Sequence, residues 1–290
     1  MDKYTIRNFE KDFPTDEACL EWLKDYLYPE GVFCKVCCGV TKHHRVKSRP
    51  SYSCDRCGHH EHPMAGTIFQ DSRTPLRLWF HAVFLMASTR CGISAKQLER
   101  ELGVTYKTAW RMFRQIRSLL EEPPSTLSGH VELDETYVGG KVRAGNRRQA
   151  ARTRMSNKSV VAGHVQRGGK LNAIHLPDGT KGALVPLAQQ YVLAGSTIYT
   201  DELPAYKVLG RKGYQHRRVH HAAKVYVSGN AHVNTIEGFW SLLKRSINGV
   251  YHSVSSKYLQ SYINEYTFRY NHRKDQEPMF QTMMAQVEKV

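Results

Sequence analysis

Three acidic residues have the types and settings for chemistry: Asp134 in VELDETYVGGK, Asp201 in IYTDELPAY and Glu237 in HVNTIEGFWSLLKR. Each stands at the edge of a differently patterned segment, two on strand-like runs and one on a helix. Carboxylates at strand ends in a strongly basic chain have little purpose unless they hold a cation or move protons. Their oxygens are hard ligands suited to Mg2+ or Mn2+. Two such ions roughly 3.5–4 Å apart activate an attacking oxygen and stabilise the leaving one in an in-line displacement at phosphorus. The pattern therefore points to metal-dependent phosphoryl transfer on DNA, with Asp134 as the bridging ligand and water or a 3′-hydroxyl as the attacking group. No Ser/His/Asp arrangement competes with it.

Glu237 has a second reading. It follows Asn234 by three residues, so Asn234-x-x-Glu237 also has the form of a capping box opening a helix through Phe239, Trp240, Leu242 and Leu243. A carboxylate at a helix N-terminus is kept ionised by the dipole, which also suits a metal ligand. Helical spacing puts Glu237, Ser241 and Lys244 on one face, where Lys244 can reach a phosphate or stand solvated.

A second metal signature lies upstream. Cys34-x-x-Cys37 and Cys54-x-x-Cys57 have the paired spacing that lets four thiolates surround one structural Zn2+. The segment from about residue 17 to 65 has few large apolar residues, so the metal would supply folding free energy that a core cannot. Cys38 is a competing ligand by position, whereas Cys19 and Cys91 sit in apolar contexts as ordinary thiols.

The 290 residues carry 42 Lys and Arg against 26 Asp and Glu, a net charge of +16. That balance suits a polyanion, because each neutralised phosphate releases counterions. The start lacks an apolar signal core, and the greasiest run, residues 78–88, is too short for a bilayer. The expectation is a cytoplasmic, nucleoid-associated protein that binds double-stranded DNA and no membrane.

The elements that must position these groups can be read coarsely. Pro75 opens a helix behind Thr74 as N-cap, with Leu76, Trp79, Phe80, Val83 and Phe84 at helical spacing. Ser94 and Gln97 cap a short helix from Ala95 to Gly103, and Thr105 caps the next. Two helices around a Gly-containing turn fit a helix-turn-helix unit whose second helix offers Lys107, Arg111, Arg114 and Arg117 to DNA, or else an αα-hairpin with a solvated face. Pro123 and Pro124 then break the chain.

Beyond them, Val131 and Leu133 alternate with Glu132, Asp134 and Thr136, placing Asp134 on a strand. A hairpin around Arg167-Gly168-Gly169-Lys170, a helical pattern from Ala183 to Val192, a strand ending at Asp201 and a terminal helix complete an α/β domain with a mixed sheet. Between strand and hairpin, residues 141–158 hold seven Lys or Arg, including Arg147 and Arg148, and no acid. Such a run suits a DNA backbone or a solvated loop.

The zinc-ribbon cysteines, HPMAGTIFQDSRTPLRLWFHAVF, GISAKQLERELGVTYKTAWRMFRQIR, VELDETYVGGK, YTDELPAY and HVNTIEGFWSLLKRSINGVYHSVSSKYLQSYINEYTFRYNHR together resemble the ISXO-type bacterial insertion-sequence transposases over nearly the whole chain. The resemblance implies three regions: an N-terminal helix and zinc ribbon (1–66), a helical helix-turn-helix region (67–125) and an RNase H-like DDE catalytic domain with C-terminal helices (126–290). It implies Mg2+-dependent cleavage at element ends and joining of the freed 3′ ends to target DNA. Asp134 and Asp201 match the first two acidic positions, Asn234 and Glu237 both stand for the third, and Lys244 matches a following lysine. Acting on two ends implies a homodimer or higher oligomer. The alternative is a DNA-binding regulator or domesticated relative without catalysis, for which absence of inverted repeats flanking the gene would speak.

Overall fold

The computed structural model describes residues 4–139, 158–219 and 232–288. Its contacts form two compact units, Met1–Leu119 with Asp275–Val290, and Leu120–Lys274.

In the first unit, α1 (Ile6–Asp12) and α2 (Asp16–Leu27) start on Thr5 and Thr15, whose hydroxyls accept from backbone N–H groups of the first turn. A hairpin of β1 (Phe33–Cys34) and β2 (Gly39–Val40) and an antiparallel sheet of β3 (His43–Val46), β4 (Ser51–Cys54) and β5 (His60–Glu61) follow. Helix α3 (Leu76–Ser88) buries Trp79, Phe80, Val83 and Met86. It begins one residue later than the sequence suggests. Pro75 is extended (ψ 137°), Thr74 supplies no cap, and the first-turn N–H of Arg77 donates instead to Asp16 Oδ1 at 2.8 Å.

Helix α4 (Ala95–Leu102) is capped by Ser94 Oγ and closed by Gly103 at φ +64°, a left-handed conformation that costs glycine no Cβ clash. Three residues later α5 (Tyr106–Leu119) starts, with Thr105 Oγ1 accepting from Thr108 N. The sequence assigns the residues after 274 to the third region, but the described ones, 275–288, pack in this unit. There Phe280 stacks on Tyr4 with ring centroids 4.8 Å apart and meets Phe9 edge-on, near the start of the last helix (Met279–Met284).

The second unit is a five-stranded mixed sheet in the order β10-β9-β6-β7-β8. β6 (His130–Val138), β7 (Ser159–Gln166) and β8 (Leu171–Leu176) form an antiparallel meander, while β9 (Thr197–Thr200) runs parallel to β6 and β10 (Gln215–Arg218) parallel to β9. Alternation along β6 sends Val131 and Leu133 into a core with Leu184, Val185 and Ala188 of α6 (Lys181–Tyr191) and with Tyr206 and Leu209 of a 3-10 helix, Pro204–Lys212. The opposite face packs Val161 and Val165 against Ile236, Trp240 and Leu243 of α7 (Asn234–Ser246) and Leu259, Ile263 and Tyr266 of α8 (Ser256–Asn271). Helices thus cover both faces. The amides of Asn271 and Gln260 on α8 bond the backbone of β8 at Leu171 and His175, blunting an edge that would otherwise template further strands.

Among the described residues no helix is long and apolar enough to cross a membrane.

Candidate metal centres

The parallel register of β6 and β9 pairs Val131 with Ile198 and Glu132 with Tyr199. Continued two residues beyond Glu132 and Tyr199, it sets Asp201 beside Asp134. Glu135 completes the group: Asp134, Glu135 and Asp201 each offer an oxygen within 4.8 Å of the others. The sequence reading missed Glu135 because strand alternation aims it at the opposite face from Asp134. The signal that could have found it is an Asp-Glu pair on a strand just past the point where its parallel neighbour β9 ends, so that side chains from both faces can turn toward the open edge.

Each carboxylate is held differently. Asp134 Oδ2 accepts from Trp240 Nε1 at 3.0 Å, Glu135 Oε2 accepts from the buried Tyr206 hydroxyl at 3.1 Å, and Asp201 Oδ1 accepts from Leu203 N at 2.9 Å. The indole reaches Asp134 because the residue opposite on β7 is Gly163; a Cβ there would lie 2.5 Å from the Trp240 ring. Burial, then the charges of Glu135 and Asp201, push the Asp134 carboxyl up to about 7. Burial and Asp201 push Glu135 to about 7 as well. Burial and crowding disfavour ionisation of Asp134 and Glu135, and a hard divalent cation would relieve that repulsion. The donor set fits such an ion.

Glu237 lies on the exposed face of α7, as do Asn234, Ser241 and Lys244, one turn before the Trp240 that bonds Asp134. The Asn234-x-x-Glu237 box does not form. Val233 precedes the helix without a side-chain cap, and Asn234 is the first helical residue. The cap comes from β6: Glu132, wholly buried, accepts from Thr235 N at 2.9 Å and Ile236 N at 3.1 Å. Spacing within the helix gives no hint of a cap a hundred residues away.

The four ribbon thiols also converge. Cys34, Cys37, Cys54 and Cys57 place Sγ atoms within 4.8 Å of one another, with Cys34 and Cys57 at 3.5 Å and Cys37 and Cys54 at 3.9 Å. The Thr41 hydroxyl draws Cys54 down to about 5, while the neighbouring Cys57 thiol helps push Cys37 up to about 12. This is the donor chemistry of a tetrahedral structural zinc site. Cys38 is outside the group, exposed, with its Sγ toward Lys35 O. Cys19 is buried and Cys91 partly so.

Of the basic residues expected to meet DNA, Lys107, Arg111 and Arg114 share one exposed face of α5. Arg111 Nη2 donates to Ser72 Oγ at 3.2 Å. Arg117 departs from that expectation: only 2% exposed, its guanidinium lies 3.6 Å from the Phe113 ring centroid, where the aromatic face rather than a phosphate partners it. Arg147 and Arg148 lie outside the described residues.

Residues 126–271 match the ISXO2-like transposase domain and residues 14–60 the transposase zinc-ribbon domain. The chain is 29% identical over 273 residues to an uncharacterized protein in transposable element ISH50 of Halobacterium salinarum, covering 89% of this chain and 92% of that protein. It is 24% identical over 102 residues to an uncharacterized transposase-like protein of Haemophilus influenzae, 35% of this chain and 81% of that one. With about half its length matched by the first domain and its ribbon by the second, the chain belongs to the ISXO2-like insertion-sequence transposases, joining a zinc ribbon to a DDE domain.

Proposed function

We propose that the protein binds the ends of an insertion sequence and catalyses divalent-metal-dependent DNA strand cleavage and transfer into target DNA. The convergence of Asp134, Glu135 and Asp201 at one end of the β6/β9 pair carries this reading. The sheet order, with a three-stranded antiparallel meander continued by parallel strands, supports an RNase H-like assignment.

In this reading Asp134 and Asp201 hold Mg2+ or Mn2+, and Glu135 is a third ligand from the same strand. Glu237 approaches from α7 once DNA and metal are present, with Asn234 beside it. When bound, the ions supply Lewis-acid stabilisation of charge on the phosphate oxygens in flight. Trp240 keeps Asp134 in one rotamer and so spares the reaction the cost of ordering it. Lys244 lies about two helical turns after Glu237 and offers its ammonium to a scissile or flanking phosphate.

The ribbon and the α4–α5 pair, read as a helix-turn-helix, grip the element end, with Lys107, Arg111 and Arg114 on phosphates. Arg147 and Arg148 are assigned to target or flanking DNA. Two ends call for two copies of the chain.

The test is incubation of native protein and of Asp134→Asn and Glu237→Gln variants with labelled element ends and Mg2+. Metal-dependent nicking lost in the variants supports the enzyme; equal end-binding with no cleavage by native protein would leave a DNA-binding regulator.

A further inference from the structure

Two carboxylates on the same face of β6, two residues apart, have opposite surroundings. Asp134 sits among acids and apolar rings. Glu132 is 0% exposed and surrounded by donors. Its oxygens accept from Thr235 N, Ile236 N and Thr235 Oγ1 at 2.9, 3.1 and 3.0 Å and from Arg167 Nε at 2.8 Å, with His232 Nδ1 3.2 Å away. Arg167 also donates through Nη2 to His232 O at 2.7 Å and lies over the Tyr199 ring, 4.0 Å from its centroid. A buried anion is costly unless such donors compensate it, and leaving it unpaired costs far more. Glu132 has therefore been given a full set of partners, and most of these belong to the first turn of α7 and the segment before it.

The consequence lies in the first two turns of that helix. α7 carries Glu237 in its first turn and Trp240 after it, and Trp240 bonds Asp134. Glu132 and Asp134 are fixed to one strand, so the strand holds the helix at two points, through Glu132 at Thr235 and Ile236 and through Asp134 at Trp240. The N-terminal contact is made by a charged acceptor on orphan helical N–H groups, which is stronger than a neutral one. It fixes the height of α7 along β6.

We infer that Glu132 is a positioning residue for the proposed strand-transfer site: clamped by Arg167, it anchors the start of α7 so that Trp240 locks Asp134, with Glu237 one turn before Trp240 on the same helix. It touches neither DNA nor metal. The inference rests on the catalytic reading for its effect on turnover, but its structural core does not.

The experiment uses full-length protein with 15N-labelled tryptophan, in which the Trp240 indole resonance is assigned by its loss in Trp240→Phe. Glu132→Gln keeps the shape but removes the charge that Arg167 and the helix N-terminus require. Its Trp240 indole signal is expected to move away from the native position and to lose most of its response to added Mg2+. Cleavage turnover per folded molecule should fall at least tenfold, with KM for element-end DNA changed by less than about threefold. If Glu132→Gln does not fold, Thr235→Val removes one donor hydroxyl alone and should shift the same resonance in the same direction.

A merely structural role would lower the melting temperature while leaving the Trp240 signal, its Mg2+ response and turnover at native values; that result would overturn the inference. If native protein proves to cleave no DNA, the catalytic reading fails and the indole signal alone decides: an unmoved resonance removes the anchor, a moved one keeps it.

Discussion

The indole nitrogen of Trp240 on α7 donates to Oδ2 of Asp134 on β6 at 3.0 Å, tying one of the three clustered carboxylates to the helix that bears Glu237. This contact is possible only because Gly163, across the ladder from Asp134, leaves its Cβ space to the ring.

Gly163→Ala should therefore force Trp240 or Ile236 aside, since the added atom would fall 2.5 and 2.7 Å from them. Overpacking of this kind costs about 1–3 kcal/mol. Thermal denaturation should register that destabilisation, and Trp240 fluorescence should shift as the ring leaves Asp134. A variant as stable as native protein, with unchanged emission, would mean the ring is not packed on the strand.

Asp134 is raised from 3.8, and Glu135 from 4.5, to about 7. Both groups bind more protons folded than unfolded between pH 4 and 7, so their contribution makes stability fall as pH rises through that window, then level off. Divalent metal opposes the loss above pH 7. A ligand at a hundred times its Kd stabilises by about 2.7 kcal/mol. Melting temperatures at pH 8 should rise with Mg2+ or Mn2+, less so at pH 5, and not at all in Asp134→Asn with Asp201→Asn.

Cys38 and Gly58 occupy matching places, each directly after the second cysteine of a knuckle, at φ +53° and +73°. Only the glycine suits that conformation without strain. Cys38→Gly should retain zinc and, despite glycine's greater unfolded-state freedom, be neutral or slightly stabilising. Cys54→Ser should lose zinc and unfold the ribbon, as zinc content and hydrogen exchange would report. Loss of zinc in Cys38→Gly would make that thiol a ligand after all.

Neutralising Arg111 and Arg114 together should weaken DNA binding and make the log–log dependence of affinity on salt shallower by about 0.9 for each phosphate no longer neutralised. Arg117→Gln should instead destabilise the fold and leave the salt slope unchanged, because its guanidinium is buried beside the Phe113 ring. An equal slope in native protein and both variants would return α5 to a plain helical hairpin.

Glu135 and Glu237 can be separated. Glu135→Gln should raise the half-saturating concentration of Mn2+ measured without DNA, whereas Glu237→Gln should leave it near native and lower turnover on element ends. The reverse pattern would exchange their roles.

Much of the site was legible in the sequence where chemistry is local. The doubled CxxC marked four thiols that the fold brings together, and alternation in HVELDETYV put Val131 and Leu133 on one face and Asp134 on the other. Ser94, Gly103 and Thr105 marked helix ends that the structure keeps. What escaped depends on tertiary contact. Nothing near Asn234 reveals that its helix is capped by Glu132, and although Phe113 is one turn from Arg117 on the same helix, only packing of the other elements buries the pair away from phosphate. Glu135 was hidden because period-two alternation separates neighbours that converge where the adjacent strand β9 ends.

The most direct measurement is Mn2+-dependent cleavage of a duplex carrying the element end, comparing native protein with Asp134→Asn and Asp201→Asn at matched DNA occupancy. The account predicts nicking at the element boundary by native protein and none by either variant. Undiminished nicking by both variants would contradict it.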